Sequence, residues 1–226
     1  FHAMSSPTGI ADDYELRLVE SEDDRAKLTA LVGAEMFPSN PAAVALGAVV
    51  ENSGRLLEWR IATCLHHPNT RIALNKATGE AVGFSLIAMR HRNAAEDFKP
   101  FDPEVTDKNV QMLSDIPAQL MAKFWKKQPA SVSKVLLCYE PRAPNEQLYK
   151  EMRRYGHLDR EQLKADGIAG FVTQAVSAEI QQRNARDGLQ LIGEVHLEPL
   201  AKKWSHEEPL NFVDPARSVQ LYFAPF

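Results

Sequence analysis

Leu158-Asp159-Arg160-Glu161-Gln162-Leu163-Lys164-Ala165-Asp166-Gly167-Ile168-Ala169-Gly170 is the stretch on which the reading of this chain turns. Behind it, Ile168, Phe171, Val172, Ala175, Val176 and Ile180 recur at helical spacing, which predicts a helix from Gly167 to Arg183. Asp187-Gly188 closes that helix, and Leu189 to Val195 follows as a strand. Ahead of it, Met152 to Leu158 reads as a strand. A glycine turn between strand and helix leaves backbone N–H groups unpaired at the helix start, where partial positive charge receives an anion. Gly167 removes a side chain that would hold the anion away, Ala169 is small, and Lys164 adds a point charge. A plain turn with Asp166 as N-cap is the other reading of the same residues.

Outward from there the chain alternates strands and helices. Tyr14 to Val19 alternates apolar with polar residues and predicts a first strand. Ser21 before Glu22-Asp23-Asp24 predicts an N-cap, and the helix it opens carries Leu28, Leu31, Val32 and Met36 until Pro38 and Pro41 end it. A second helix is expected over Leu56 to Leu65. Thr70 to Leu74, the turn Lys76 to Glu80, and Ala81 to Ile87 predict a hairpin. Arg90 to Asp107, charged and broken by Pro100 and Pro103, reads as a surface loop. Val110 to Trp125 reads as a helix with Pro117 inside it, and Val135 to Tyr139 as a strand broken by Pro141 and Pro144. A short helix from Pro199 to Trp204 and a last strand, Val219 to Phe223, complete the pattern, which favours an α/β sheet.

In Lys164-Ala165-Asp166-Gly167-Ile168-Ala169 the sequence resembles the GNAT superfamily of acetyltransferases, whose signature is Arg or Gln, two residues, Gly, one residue, then Gly or Ala. Here Lys stands at the first position. Gly167-Ile168-Ala169-Gly170 and its continuation look most like the arylalkylamine N-acetyltransferase branch of animals. The resemblance implies a GNAT-type acyl-CoA N-acyltransferase fold, a central mixed and mostly antiparallel twisted sheet flanked by helices. It implies acetyl-CoA as cosubstrate, held by Leu158, Lys164, Ala165, Asp166, Gly167, Ile168, Ala169 and Gly170, and a primary amine acceptor such as an arylalkylamine. In this fold the strand before the motif splays from its neighbour and offers an N–H to the thioester carbonyl, which puts Tyr155 and His157 near the reaction. His157 has a pKa suited to a base and Tyr155 to an acid, with Glu198, His196 and Glu35 as further candidates. A strand-end histidine with a structural role and a core tyrosine are the plainer readings. The family glutamate before a proline is Asn40 here, serines are absent at Val195 and Glu198, and no Gly-Phe follows the short helix. A coenzyme-binding or interaction module without turnover is therefore the alternative function.

Composition bounds the rest. The chain has 226 residues, 44% hydrophobic and 25% charged, which suits a single domain from residue 14 to 226 behind a loose leader. Phe1-His2-Ala3 before Met4 reads as a tag remnant. A formal charge of −4 argues against nucleic acid. No apolar run has the length of a membrane span. Cys64 and Cys138 read as buried thiols of a cytoplasmic protein, and no His, Cys and carboxylate spacing predicts a metal. Oligomeric state has no signature.

Overall fold

A computed structural model describes residues 13–36, 38–48, 52–67, 69–98, 107–153 and 159–226. The chain opens with β1 (Tyr14–Leu18) and α1 (Glu22–Glu35). Ser21 caps α1 as expected, its hydroxyl accepting from the Asp24 N–H at 3.0 Å. Pro41 starts a helix where the sequence suggested only an end. It holds the first position of α2 (Pro41–Ala45), where a missing N–H costs nothing. Asn40 caps it, accepting from the N–H groups of Ala42 and Ala43 at 3.0 and 3.3 Å. Then come α3 (Gly54–Leu65), β2 (Arg71–Asn75), β3 (Ala81–Ser85) and β4 (Ile87–His91). Arg90 and His91, expected in a loop, belong to β4 and pair with Val135 and Lys134. After α4 (Lys108–Lys127) and β5 (Lys134–Cys138) the chain forms α5 (Glu146–Arg153) and α6 (Arg160–Ala165). It finishes with β6 (Ile168–Ala175), α7 (Ala178–Arg186), β7 (Gln190–His196), α8 (Leu197–Lys203) and β8 (Ser218–Pro225).

The strands form two sheets, β1-β2-β3 and β4-β5-β6-β8-β7, in which every pairing but β5 with β6 is antiparallel. Both faces of β5 are buried, as a central strand requires. Val135 and Leu137 join Leu28, Leu56, Leu120 and Phe124 in the main core. Leu136 and Cys138 face the other way, onto Leu163, Ile168 and Phe171.

Two expectations in the deciding stretch are corrected. The helix predicted over Gly167 to Arg183 is a strand followed by a separate helix. Ile168 to Ala175 lies between β5 and β8, buried on both faces, so its nearly continuous apolar run imitates a helical period. The helix begins only at Ala178, where the Ser177 hydroxyl accepts from the Ile180 N–H at 3.3 Å. The strand predicted from Met152 is helical at Met152 and Arg153, with Met152 buried against Ala73 and Leu148. Residues 154–158 lie outside the described residues.

Candidate active site

β5 and β6 run side by side through the pair Cys138 and Thr173, then part. Beyond Cys138 the chain turns away from β6. The Tyr139 N–H donates to the Leu86 carbonyl at 3.0 Å, and Arg142 exchanges two backbone bonds with Phe84 at 2.9 and 3.0 Å. Gly83 makes this detour possible, because a Cβ there would stand 2.6 Å from the Arg142 carbonyl oxygen. β6 meanwhile continues to Ala175, paired only with β8. Alternate N–H groups of an extended chain point to opposite edges. With Tyr139 bonded to Leu86 and Arg142 to Phe84, three residues against two, this alternation slips at Glu140 and Pro141, beside the V between the strands.

Four openings meet there. A small cavity of about 60 Å³ at the V is lined by Tyr139, Glu140, Arg142, Gln174 and Val176. Tyr139, Arg60 and Pro117 also line a larger cavity of about 520 Å³ under α3 and α4. Glu140 also lines a groove of about 420 Å³ beside α5 and α7, and both Glu140 and Arg142 line a second, adjoining groove of about 410 Å³. The Thr173 hydroxyl and the Gln174 amide nitrogen, neighbours on β6 at the fork, are buried without a hydrogen-bond partner. Each such group costs about 1–3 kcal/mol unless a ligand satisfies it.

Glu140 is the titratable centre of the fork. Its side chain is 8% exposed, it accepts from the Tyr149 hydroxyl, and Arg153 Nε lies 3.7 Å away. Burial raises its pKa above the ordinary carboxylate value, against the Tyr149 hydrogen bond and the charges of Arg153, Arg183 and Arg142. Burial and the neighbouring Glu140 carboxylate push the Tyr149 phenol up as well. Asn145 aims Tyr149 by capping α5, its side-chain oxygen accepting from the Leu148 N–H at 2.9 Å. Arg183 on α7 lies over the Tyr149 ring at 4.5 Å, and Arg153 bonds Asp187 and Asn184 across the groove. Arg142 and Arg186 have no ion-pair partner among the described residues.

Of the residues singled out from sequence, those that are described lie away from the fork. Tyr155, His157 and Leu158 are outside the described residues. Lys164, Ala165 and Asp166 form the end of α6, where Lys164 pairs with Glu161 at 3.1 Å and Asp166 accepts from Gln162 at 3.0 Å. Gly167, with φ of 78°, turns the chain into β6, and Ile168, Ala169 and Gly170 are strand residues. A helix end presents carbonyl oxygens and partial negative charge, so the helix start on which the anion argument rested is not formed. This segment also lies at the far end of β6 from the fork, about 20 Å along the strand. Glu198 is exposed in the first turn of α8, and His196 pairs with Glu194 at 3.2 Å on edge strand β7, two strands from β6. Glu35 is exposed at the end of α1. Glu140, Arg142, Tyr149 and Gln174 escaped the sequence reading. Their signal was a strand end, Cys138-Tyr139-Glu140, ahead of the helix cap Asn145.

No protein-family profile matches the chain, and no curated protein matches it in sequence. Solved structures match it throughout. Arylalkylamine N-acetyltransferase 2 from Aedes aegypti superposes with a TM-score of 0.70 at 13% identity, covering 94% of this chain and 98% of its own. A mosquito arylalkylamine N-acetyltransferase-like 5b protein gives 0.69 at 10% identity, over 94% and 100%. A Drosophila melanogaster polyamine N-acetyltransferase that forms N-acetylagmatine gives 0.62 at 14% identity, over 95% and 100%. No helix among the described residues is long and apolar enough to cross a membrane.

Proposed function

This chain has the fold of the GNAT N-acyltransferases, and from that premise we propose that it moves an acetyl group from acetyl-CoA to a small primary amine at the fork between β5 and β6. One observation carries the reading. The fork joins a largely apolar cavity on one face of the sheet to an arginine-rich groove on the other, with Glu140 at the junction. The residues of the groove suit the coenzyme. Arg142 and Arg186 are guanidiniums that would hold phosphates, and Thr173 and Gln174 would satisfy their orphaned groups on an amide-bearing arm. Bound there, acetyl-CoA supplies an acyl group activated as a thioester.

The chain's own residues then divide the proton work. Glu140 accepts the proton that an ammonium must lose, and burial, which raises its pKa above the ordinary carboxylate value, makes it a stronger base than an exposed carboxylate. The Glu140 N–H donates to the oxygen that gains charge. Tyr149, whose phenol stays protonated at working pH, gives a proton to the leaving thiolate and recovers one from Glu140 through their hydrogen bond, and the second proton, lost by the nitrogen as the amide forms, passes by way of the freed Glu140 to solvent. The experiment is thiol release from acetyl-CoA over a panel of amines, comparing the parent with Glu140→Gln. Amine-dependent release that collapses in the variant supports the proposal, and release unaffected by the variant removes Glu140 from it.

A second reading, coenzyme binding or protein interaction without turnover, has its own observation. Pro141 and Pro144 remove two N–H donors from the loop before α5, and the Tyr149–Glu140 and Arg153–Asp187 contacts already bridge the groove. Tight coenzyme binding with no amine acetylated would favour it.

A further inference from the structure

All three tryptophans of the chain, Trp59, Trp125 and Trp204, line the 520 Å³ cavity, together with Tyr139, Leu137 and Met121. An aromatic, largely apolar chamber of this size suits a ring-bearing small molecule. Its charged residues are three arginines and two aspartates beside His91. Most of these are spoken for. Arg92 donates to the carbonyls of Trp125, Gln128, Pro129 and Val132 at 2.6–3.1 Å, which ties down the end of α4. Arg90 pairs with Asp97 at 3.4 Å, and His91 meets the same carboxylate at 3.0 Å. Asp115 accepts from Gln119, Lys203 and the Trp204 indole at 2.9–3.2 Å.

Arg60 is different. It is 7% exposed, it sits where the large cavity meets the fork, and no carboxylate pairs with it among the described residues. Its Nε has no hydrogen-bond partner. Its other contacts are weak ones, Nη1 to the Met36 sulfur at 3.0 Å and the guanidinium over the Tyr139 ring at 5.0 Å. Among the described residues this buried guanidinium has only a thioether and a ring for company, which leaves its charge uncompensated by them. Guanidinium geometry matches a carboxylate through paired N–H donors.

We infer that the cavity binds an aromatic molecule carrying a carboxylate, with the ring among the tryptophans and the carboxylate on Arg60. Taken with the acetyl transfer proposed above, on which this substrate assignment rests, the acceptor is an aromatic amino acid or a related amine that keeps its carboxylate. A simple arylalkylamine would leave Arg60 unpaired and bring a second cation beside it.

The test needs no coenzyme, so it stands or falls apart from turnover. Because every tryptophan lines the cavity, intrinsic fluorescence reports occupancy directly, with calorimetry as the second readout. The probes share one ring and differ in charge: 3-phenylpropionate, neutral 3-phenylpropionamide and cationic 2-phenylethylamine. The expected result is 3-phenylpropionate binding at least ~10-fold more tightly than the other two, with Arg60→Met abolishing that preference and Arg60→Lys keeping part of it. Equal or tighter binding of 2-phenylethylamine, or full carboxylate affinity in Arg60→Met, overturns the inference, as does no binding of the carboxylate to the parent. If Arg60→Met fails to fold, the charge series on the parent protein decides alone. Carboxylate binding without acetylation would leave this site standing and remove the enzyme, and acetylation of amines without carboxylate binding would do the reverse.

Discussion

In the proposed transfer Glu140 serves as the base at the fork because it is both buried and surrounded by donors. A carboxylate whose pKa burial raises, against the Tyr149 hydrogen bond and the charges of three arginines, is a stronger base than an exposed one. Replacing it with Gln keeps the shape and loses the base. Turnover is expected to fall by about 100- to 10,000-fold with coenzyme affinity unchanged, and the rise of rate with pH should flatten. Parallel steady-state and binding titrations check both halves. Asp24 shows the opposite electrostatics. Its side chain is 5% exposed, and although burial alone would raise its pKa, hydrogen bonds from Arg17 and Ser21 win and hold it below the ordinary value. A group depressed on folding contributes stability above its unfolded value, about pH 4, and loses it as pH falls through the folded value. Asp24→Asn should therefore cost about 1–3 kcal/mol at pH 7, and less as the solution is acidified below pH 4. Urea melts at pH 7 and pH 3 measure the difference, and an equal cost at both would refute the assignment.

At the scale of elements, two glycines separate what positions the fork from what does not. Gly83 lies under Arg142, and an added Cβ would meet its backbone oxygen at 2.6 Å and the Ala143 Cα at 3.3 Å. Gly83→Ala should push the 140–143 segment off β3, costing about 1–3 kcal/mol of stability and weakening coenzyme binding. Gly167 has φ of 78° with open space around it. Gly167→Ala should cost about 1 kcal/mol through backbone strain alone and leave coenzyme binding intact. Thermal melts and calorimetry on both variants check the contrast. The same segment explains what could be read in advance. α1 carries its cap at Ser21, α3 and α4 their apolar periods and the hairpin of β2 and β3 its turn, and Leu28 and Val32 are buried as expected. β6 was misread because a strand buried on both faces has no alternation, and Ile168, Phe171, Val172 and Ala175 fall on a helical period by chance. That single shift put the expected helix start at the beginning of β6, away from the site proposed at the fork, where β5 ends. The strand end at Tyr139 and the cap Asn145 mark the place in sequence, but the parting of β5 from β6 does not show there, since Tyr139 leaves β6 by pairing with Leu86 more than fifty residues earlier.

On the scale of the whole molecule, the sheet is a wall with one gap. The cavity of the tryptophans lies on the α3 and α4 side and the arginine groove on the α5 and α7 side, so two ligands can meet only where β5 and β6 part. The two cysteines take no part in this. Cys64 is fully buried, and burial pushes its thiol up to about 12 against the nearby charges of Arg60 and Arg90. Cys138 is equally buried on β5. Neither should react with DTNB in the native protein, while both should react in denaturant, so any thiol released in an assay comes from the coenzyme.

Titration calorimetry of acetyl-CoA into the parent, Arg142→Glu and Gly167→Glu tests the placement of the site at the fork most directly. If the coenzyme enters beside Arg142, the parent binds it, Arg142→Glu weakens it by ~10-fold or more, and Gly167→Glu binds like the parent. If Gly167→Glu loses binding while Arg142→Glu retains it, the coenzyme belongs at the start of β6 and the fork is not the site.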